Sequence, residues 1–433
     1  MMSTITIAEA KGHIGETITL RGWLYNKRSS GKIAFLQVRD GTGVLQAVLA
    51  KSDDPGLFEI ADELSRESSI VVRGELREDE RAPSGCELQL TGLEVVQQPE
   101  GDFPIELKED QGPDFLMNHR HLWIRTGSQV PILRIRDSVF RAFRKFFEER
   151  GFIATEAPIL TGTSVEGTTT LFELDYFGDP AFLGQSGQLY LEATSAALGK
   201  TYWIGPAFRA EKSKTRKHVT EFWIAEAEMS FVEHEESLQV QEDLVRFIVE
   251  TVTRERAAEM TQIGRDPEVL LKQVRDPFPR VDYAEAIALL QEKGFDIKFG
   301  NDFGAPHEEA LGEAYGVPIF IERMPAAMKP FYMKRDPKDR TRALAADLIA
   351  PEGFGEIIGG SQRVDTVEEL SAQLAEYGLP IEAYEWYVDL RRYGSVPHSG
   401  FGMGLARVVQ WVCGVKHIRE VIPFPRTLQR LYP

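Results

Sequence analysis

The hydrophobic period of this chain changes once, and that change decides what it can fold into. Up to about Gln97, apolar residues alternate with polar ones, the two-residue period of a strand with one buried face. Beyond Gly112 they recur at helical spacing and mix with strand-like runs. Ile18, Leu20, Gly22 and Leu24 alternate in the first way. Lys32 to Arg39 and Val44 to Leu49 flank Asp40-Gly41-Thr42-Gly43, which reads as a hairpin turn. Ser69 to Leu76 and Glu87 to Val96 complete about five strands, and Phe58 to Leu64 interrupts them as a helix.

Short strands in that number, with a single helix, predict a small Greek-key barrel of the oligonucleotide-binding (OB) kind over residues 1–98. The stretch from Gln97 to Gly112 is polar and rich in Pro, Gly and acid, and residues 99–130 are expected to act as a linker or hinge. Ile135, Val139, Phe143 and Phe147 then follow helical spacing, with Gly151 as a C-terminal stop. Ser237 to Glu255 reads as a second long amphipathic helix. Residues 131–433 mix strands and helices without regular βαβ alternation. That favours an α+β domain built on an antiparallel sheet flanked by helices.

Charge and cysteine usage narrow the classes further. The net charge of −17 argues against a protein that coats nucleic acid without specificity, while leaving room for a local basic surface. No apolar run approaches the roughly 20 residues that span a bilayer. Met1-Met2-Ser3-Thr4-Ile5 lacks the basic and apolar start of a secretory signal. Cys86 and Cys413 lie far apart and make no metal-ligand spacing, so a reducing, cytoplasmic location is expected. Neither a membrane nor DNA is expected as a partner.

The segments that carry chemistry lie in the second part. Phe208-Arg209-Ala210-Glu211 follows one strand candidate, Thr201 to Ile204, and Glu221-Phe222-Trp223 begins another, Glu221 to Met229. Between them run Lys212, Lys214, Arg216, Lys217 and His218, groups suited to a polyphosphate. Arg209 can offer a planar fork to a phosphate, and Phe222 a flat apolar face to a base. A solvated basic hairpin has the same composition. Gly400-Phe401-Gly402-Met403-Gly404-Leu405-Ala406-Arg407 reads as a glycine-rich turn into an apolar helix, with Arg407 as a second cation. Its spacing does not follow a βαβ strand, so a dinucleotide site is not indicated. Asp347 and Glu356 are oxygen donors of the kind Mg²⁺ takes beside a phosphate. Simple pairing of Glu356 with Arg363 across a sheet would account for the same residues.

Taken together, these segments resemble the class II aminoacyl-tRNA synthetases. Phe208 to Phe222 looks like their motif 2, Gly400 to Arg407 like motif 3, and the helix ending in Thr155-Glu156-Ala157-Pro158 like motif 1. The barrel ahead of the catalytic part marks the aspartate/asparagine/lysine subgroup. The resemblance implies that Arg209 holds the α-phosphate of ATP and the substrate carboxylate, that Glu211 and Phe222 hold adenine, and that His218 also meets ATP. It implies that Arg407 takes the γ-phosphate, that Asp347 and Glu356 carry Mg²⁺, and that Pro158 lies in a homodimer interface. The carboxylate attacks the α-phosphorus, and the 3′-terminal ribose of tRNA then attacks the adenylate. Such chemistry needs positioning and preorganised positive charge, and no protein nucleophile.

The same resemblance addresses the amino acid. Ser164 to Thr169 looks like the family's mobile loop, with Glu166 on the substrate ammonium and Gln188 beside it. Aspartate enzymes place a lysine where this chain has Leu191. Glu192 instead resembles the acid of asparagine enzymes that accepts from the side-chain amide, while Arg363 donates to its carbonyl. At about 4 Å and an effective dielectric near 20, an aspartate carboxylate against Glu192 would be repelled by about 4 kcal/mol. The expected reaction is therefore ATP-dependent attachment of asparagine to tRNA(Asn). A relaxed aspartyl enzyme, or a paralogue that makes asparagine without tRNA, are the rival readings. In the barrel, Arg21, Lys27, Arg28 and Lys32 cluster near Trp23, Tyr25 and Phe35, a pairing of cations and stacking faces suited to single-stranded bases. The resemblance gives Phe35 a stack on the middle anticodon base and Gln46 its edge. Two positions depart from the pattern: Ala406 stands where motif 3 usually has an acid, and Thr170 where asparagine enzymes commonly have Glu.

Overall fold

The computed structural model describes residues 3–82, 84–106, 111–165, 171–213 and 215–433. It divides into two units, Met1–Gly112 and Pro113–Pro433.

In the first unit the strand Thr17–Ser29 is long enough to serve two neighbours. Its first half pairs with Ser69–Glu78 and its second half with Ile33–Arg39. Ile33–Arg39 continues to Val44–Ala50, which lies parallel to Cys86–Gln97, and that strand pairs back with Ser69–Glu78. The circuit closes a five-stranded barrel, with the two-residue strand Ser3–Thr4 added outside. Alternation does the sorting: Ala34, Leu36 and Val38 point into the core, as do Leu20, Leu45 and Val72. Asp40 makes the predicted turn, its carboxylate accepting from the amides of Thr42 and Gly43. The helix Pro55–Glu63 begins on an Asp54 cap and buries Phe58 and Ala61.

The second unit is built on an eight-stranded sheet. Its order is Arg280–Asp282, Ile319–Glu322, Ala345–Ala350, Gly355–Gln362, His398–Gly404, Glu221–Ser230, Lys200–Phe208 and Ile153–Ala154. The six central strands are antiparallel, and each end strand is parallel to its neighbour. The predicted helix is Val130–Glu148, and it buries Ile135, Val139, Phe143 and Phe147 in a core shared with the helices His234–Gln262 and Leu405–Cys413, the two phenylalanines reaching Tyr202 of the sheet. Phe147 stacks on Tyr202, with ring centroids 5.4 Å apart. Gly151 supplies the stop with φ +76°. The second long helix runs from His234 to Gln262.

Residues 113–130 do not form the expected hinge. They fold as helices, Pro113–Asn118 and Arg120–Trp123, and are anchored in the second unit by one buried arginine. Arg120 donates to the carbonyls of Ile422 and Pro423 at 2.7 and 2.8 Å and to Gln129 at 2.6 Å. A buried guanidinium that donates to four carbonyl oxygens fixes the chain as firmly as a core side chain does. The local pattern, a short polar stretch, carries no sign of partners 300 residues away.

Candidate active site

The site is assembled by strand register. Asp347 lies opposite Gly359, Gly359 opposite Gly402, and Gly402 opposite Glu226. A line across four strands therefore carries an acid at each end and glycine between. A second line places Glu228 opposite Gly400 and Gly400 opposite Ser361. The glycines of Gly400 to Gly404 thus sit in a central strand and not in the turn the sequence suggests. Their use is the missing Cβ: one built at Gly400 would fall 2.0 Å from the Glu228 carboxylate.

Over this floor opens a cavity of about 910 Å³. Its walls bring together Gln188, Arg209, Glu211, His218, Phe222, Asp347, Glu356, Arg363 and Arg407. Arg209 and Phe222 stand at the open ends of paired strands, the guanidinium carbon 5.3 Å from the ring centroid. Arg407, in the first turn of the helix Leu405–Cys413, donates to the Glu356 carbonyl at 2.7 Å and lies 3.6 Å from its carboxylate. Burial and the neighbouring Arg407 lower the His218 pKa, so it enters as a hydrogen-bonding imidazole and not as a fixed cation. Ala406 is buried beside Arg407 in the core under the helix, a place where an acid would need a partner. Glu166, Thr170 and Lys214 lie outside the described residues.

One placement corrects the sequence reading. Glu192 is 2% exposed and is not among the described residues that line the cavity. Its oxygens accept from Gln188, Tyr387, Arg391 and His398. No contact with a substrate amide, and no 4 Å repulsion of a substrate carboxylate, can be assigned to it. The acid on the cavity wall beside Arg363 is Glu226, which the sequence reading passed over. It accepts from Ser186 Oγ and, at 2.7 Å, from Gly187 N. Burial raises its pKa to about 7. Its sequence signal is weak but present: Glu226 and Glu228 are paired acids in an otherwise apolar strand, and buried acids rarely occur without a task. Arg363 faces the cavity with Nε and Nη2 bound to Glu228 and Nη1 to Ser361 at 2.7 Å.

Residues just beyond Phe299 also reach the site. Asp302 to Ala305 and Glu308, leading into and on the helix Ala305–Tyr315, form one cavity wall. Glu308 accepts from the Glu356 amide at 3.1 Å, with Lys217 nearby.

The acids suit a divalent cation. A Cβ at Gly359 would lie 3.0 Å from Glu356 Oε1 and 3.6 Å from Asp347 Oδ1, so the glycine leaves a hollow between two hard oxygen donors. Burial, opposed by Lys329 and reinforced by Glu356, raises the Asp347 pKa to about 6. Lys329 meets Asp347 at 2.8 Å. A cation needs the ionised form, so its affinity is lost as pH falls through this value. Divalent-cation binding measured by calorimetry is expected to weaken about tenfold from roughly pH 7 to pH 5. A flat profile would remove Asp347 from the ligand set.

On the barrel, register again sorts the candidates. Trp23 faces Arg39, Arg28 faces Phe35, and Gln46 faces Gln37, which puts these side chains on the outer side of the barrel with Arg21, but Gln46 is only 9% exposed and its amide donates to Glu87 at 3.3 Å. Arg28 lies 5.8 Å from the Phe35 centroid. Trp23 is 39% exposed, so it is not barrel core. Lys27 departs from the expectation. A register shift between Leu24 and Asn26 sets it opposite the buried Leu36, and its ammonium donates to the Asp62 carbonyl. Lys32 is exposed in the loop beyond Ser29.

These features match known proteins over the full chain. Residues 112–428 match the family of class II tRNA synthetases (D, K and N), and residues 18–96 match the OB-fold nucleic acid binding domain. The chain belongs to this synthetase family. Within it, the chain falls among the asparagine enzymes. It is 53% identical over 433 residues to an asparagine–tRNA ligase of Pelotomaculum thermopropionicum, covering 100% of both chains. The asparaginyl-tRNA synthetase of Pyrococcus horikoshii, solved with asparaginyl-adenylate, superimposes with a TM-score of 0.96 at 44% identity over 100% of both chains. The aspartyl enzyme of Entamoeba histolytica gives a TM-score of 0.85 at 28% identity, covering 100% of this chain and 93% of that one.

Proposed function

We propose that the cavity activates asparagine on ATP and passes it to tRNA(Asn), with the residues described above in the following roles. A carboxylate oxygen of asparagine attacks the α-phosphorus, and the bond to the β-phosphate oxygen breaks to release pyrophosphate. The ribose hydroxyl of the tRNA terminus then attacks the asparaginyl carbonyl, and AMP leaves. Arg209 meets the α-phosphate, where negative charge accumulates, with Phe222 and Glu211 beside the adenine. Arg407, Lys217 and His218 meet the far phosphates. Asp347 and Glu356 would hold Mg²⁺, which supplies charge neutralisation at the phosphates. Gln188 takes the substrate ammonium.

The single observation that carries the choice of amino acid is the pair Glu226 and Arg363 on the cavity wall. Glu226 accepts from the side-chain amide and Arg363 donates to its carbonyl. Hydrogen bonds to charged partners are worth about 1.5–3 kcal/mol each. ATP–pyrophosphate exchange driven by asparagine and by aspartate, followed by charging of purified tRNAs, tests this. Equal exchange with both amino acids would favour the relaxed aspartyl reading, and exchange without charging would favour the paralogue.

The outer barrel surface reads the anticodon through Phe35, with Arg21, Arg28 and Gln46 around it. Phe35→Ala is expected to lower charging efficiency about tenfold or more, since stacking is worth roughly 1–3 kcal/mol per base, and to affect adenylate formation less. Equal losses in both steps would contradict this role. The homodimer rests on the exposed run Ile153 to Leu160, which contains Pro158, with Ile153 on an edge strand of the eight-stranded sheet and Ile153, Ile159 and Leu160 each at least 43% exposed. A monomer by light scattering at micromolar concentration would remove it. A cytoplasmic location rests on the free, buried Cys86 and Cys413, and cell fractionation checks it.

A further inference from the structure

Behind the amino-acid end of the cavity lies a closed cluster of charges, of which the reaction scheme uses only Arg363. Glu192, Glu228, Arg363, Arg391 and His398 are each at least nine-tenths buried. Glu192 sits at the centre. Tyr387 donates to both of its oxygens at 2.8 Å, Arg391 Nη2 to one at 2.6 Å, and His398 Nε2 lies 3.0 Å away. Gln188, one helical turn earlier, donates to the other oxygen at 3.1 Å, and Arg363 Nε lies 3.9 Å from it. Arg363 is held in turn by Glu228 and Ser361, and Arg391 Nε by the Val364 carbonyl at 2.7 Å. Of these groups, Gln188 and Arg363 are the described residues that reach the cavity.

The charges balance. Three acids, Glu192, Glu226 and Glu228, stand against three basic side chains, Arg363, Arg391 and His398, and both ring nitrogens of His398 meet acceptors, Nδ1 the Val396 carbonyl at 2.8 Å and Nε2 Glu192 at 3.0 Å. Arg363 therefore meets the substrate with its charge already compensated from behind. A neutral carboxamide suits such a floor. An aspartate carboxylate would be a buried anion with no surplus cation to meet it, next to Glu226.

We propose that Glu192 is a specificity-determining residue that acts without touching the amino acid, by holding the floor of the side-chain pocket at zero net charge and fixing Gln188. The proposal rests on the asparagine reading of the cavity and deepens it. Glu192 is a positioning residue in this scheme, and its effect is carried by Arg391, Arg363 and Gln188.

The test is a charge cycle read as the ratio of kcat/KM for asparagine over aspartate in ATP–pyrophosphate exchange. Glu192→Gln leaves one surplus positive charge and is expected to lower the ratio at least about tenfold, the scale of one uncompensated charge at an effective dielectric near 20. Arg391→Gln leaves one surplus negative charge and is expected to raise it. The double variant Glu192→Gln/Arg391→Gln restores neutrality and is expected to bring the ratio back toward the parent value, although both hydrogen-bond partners have changed. Glu192→Asp keeps the charge and is expected to keep the ratio while slowing both substrates. A merely structural role predicts equal losses for both amino acids in every variant and additive effects in the double one, and that pattern overturns the proposal. Should Glu192→Gln fail to fold, an unchanged ratio in Arg391→Gln overturns it as well. A parent enzyme that does not prefer asparagine is a separate outcome of the same assay and defeats the asparagine reading itself.

Discussion

Arg209→Ala is expected to slow asparagine-dependent ATP–pyrophosphate exchange by about 10²–10³-fold, the loss that follows removal of one preorganised donor from a site of developing charge. Arg209 stands at the end of a strand on the cavity wall, partly exposed, so its removal leaves the core intact. The loss is expected mainly in kcat, because the charge it meets grows in the transition state. Arg209→Lys keeps the charge and loses the fork, and is expected to recover only part of the rate. A fall of less than about tenfold in Arg209→Ala would leave Arg407 and Lys217 as the main phosphate ligands and sink the role given to Arg209.

Glu226→Gln is expected to reduce asparagine activation by about ten- to a hundredfold and to narrow the preference over aspartate. The carboxylate accepts from the substrate amide; a glutamine in its place turns one donor toward the same space. The unsubstituted enzyme offers a second readout of the same group. With a pKa of about 7, Glu226 is ionised at pH 8 and protonated at pH 6. The protonated acid no longer repels aspartate and can donate to its carboxylate. The asparagine-over-aspartate ratio is therefore expected to fall as pH is lowered from about 8 to 6. A ratio that holds across this range, together with a ratio unchanged in Glu226→Gln, would take Glu226 out of substrate selection.

Much of the fold was legible in the chain. The two-residue period of the barrel strands, the turn at Asp40 and the helical spacing of Ile135, Val139, Phe143 and Phe147 are local patterns, and local steric and hydrophobic preferences are enough to realise them. The residue types around motif 2 and motif 3 also stated the chemistry, because cations and an aromatic face beside paired acids suit ATP wherever the chain puts them. The segment expected as a hinge failed this test, since Arg120 finds its partners some 300 residues on.

The side-chain pocket is where local reading stopped. Glu192 and Glu226 are both acids among apolar neighbours, and nothing in either neighbourhood says which one faces the substrate. Cross-strand register decides it, by setting Glu226 opposite Gly402 on the cavity floor. Packing decides it for Glu192, by closing Tyr387, Arg391 and His398 around its carboxylate. The same register logic moved Lys27 off the aromatic face of the barrel. The sequence alone therefore determined two domains, a barrel and an α+β sheet, and an ATP site for activating a carboxylate, because those follow from period and residue type. Which acid selects the amino acid, and what balances its charge, was decided by the tertiary structure, because partners 135 to 206 residues apart meet only once the sheet has formed.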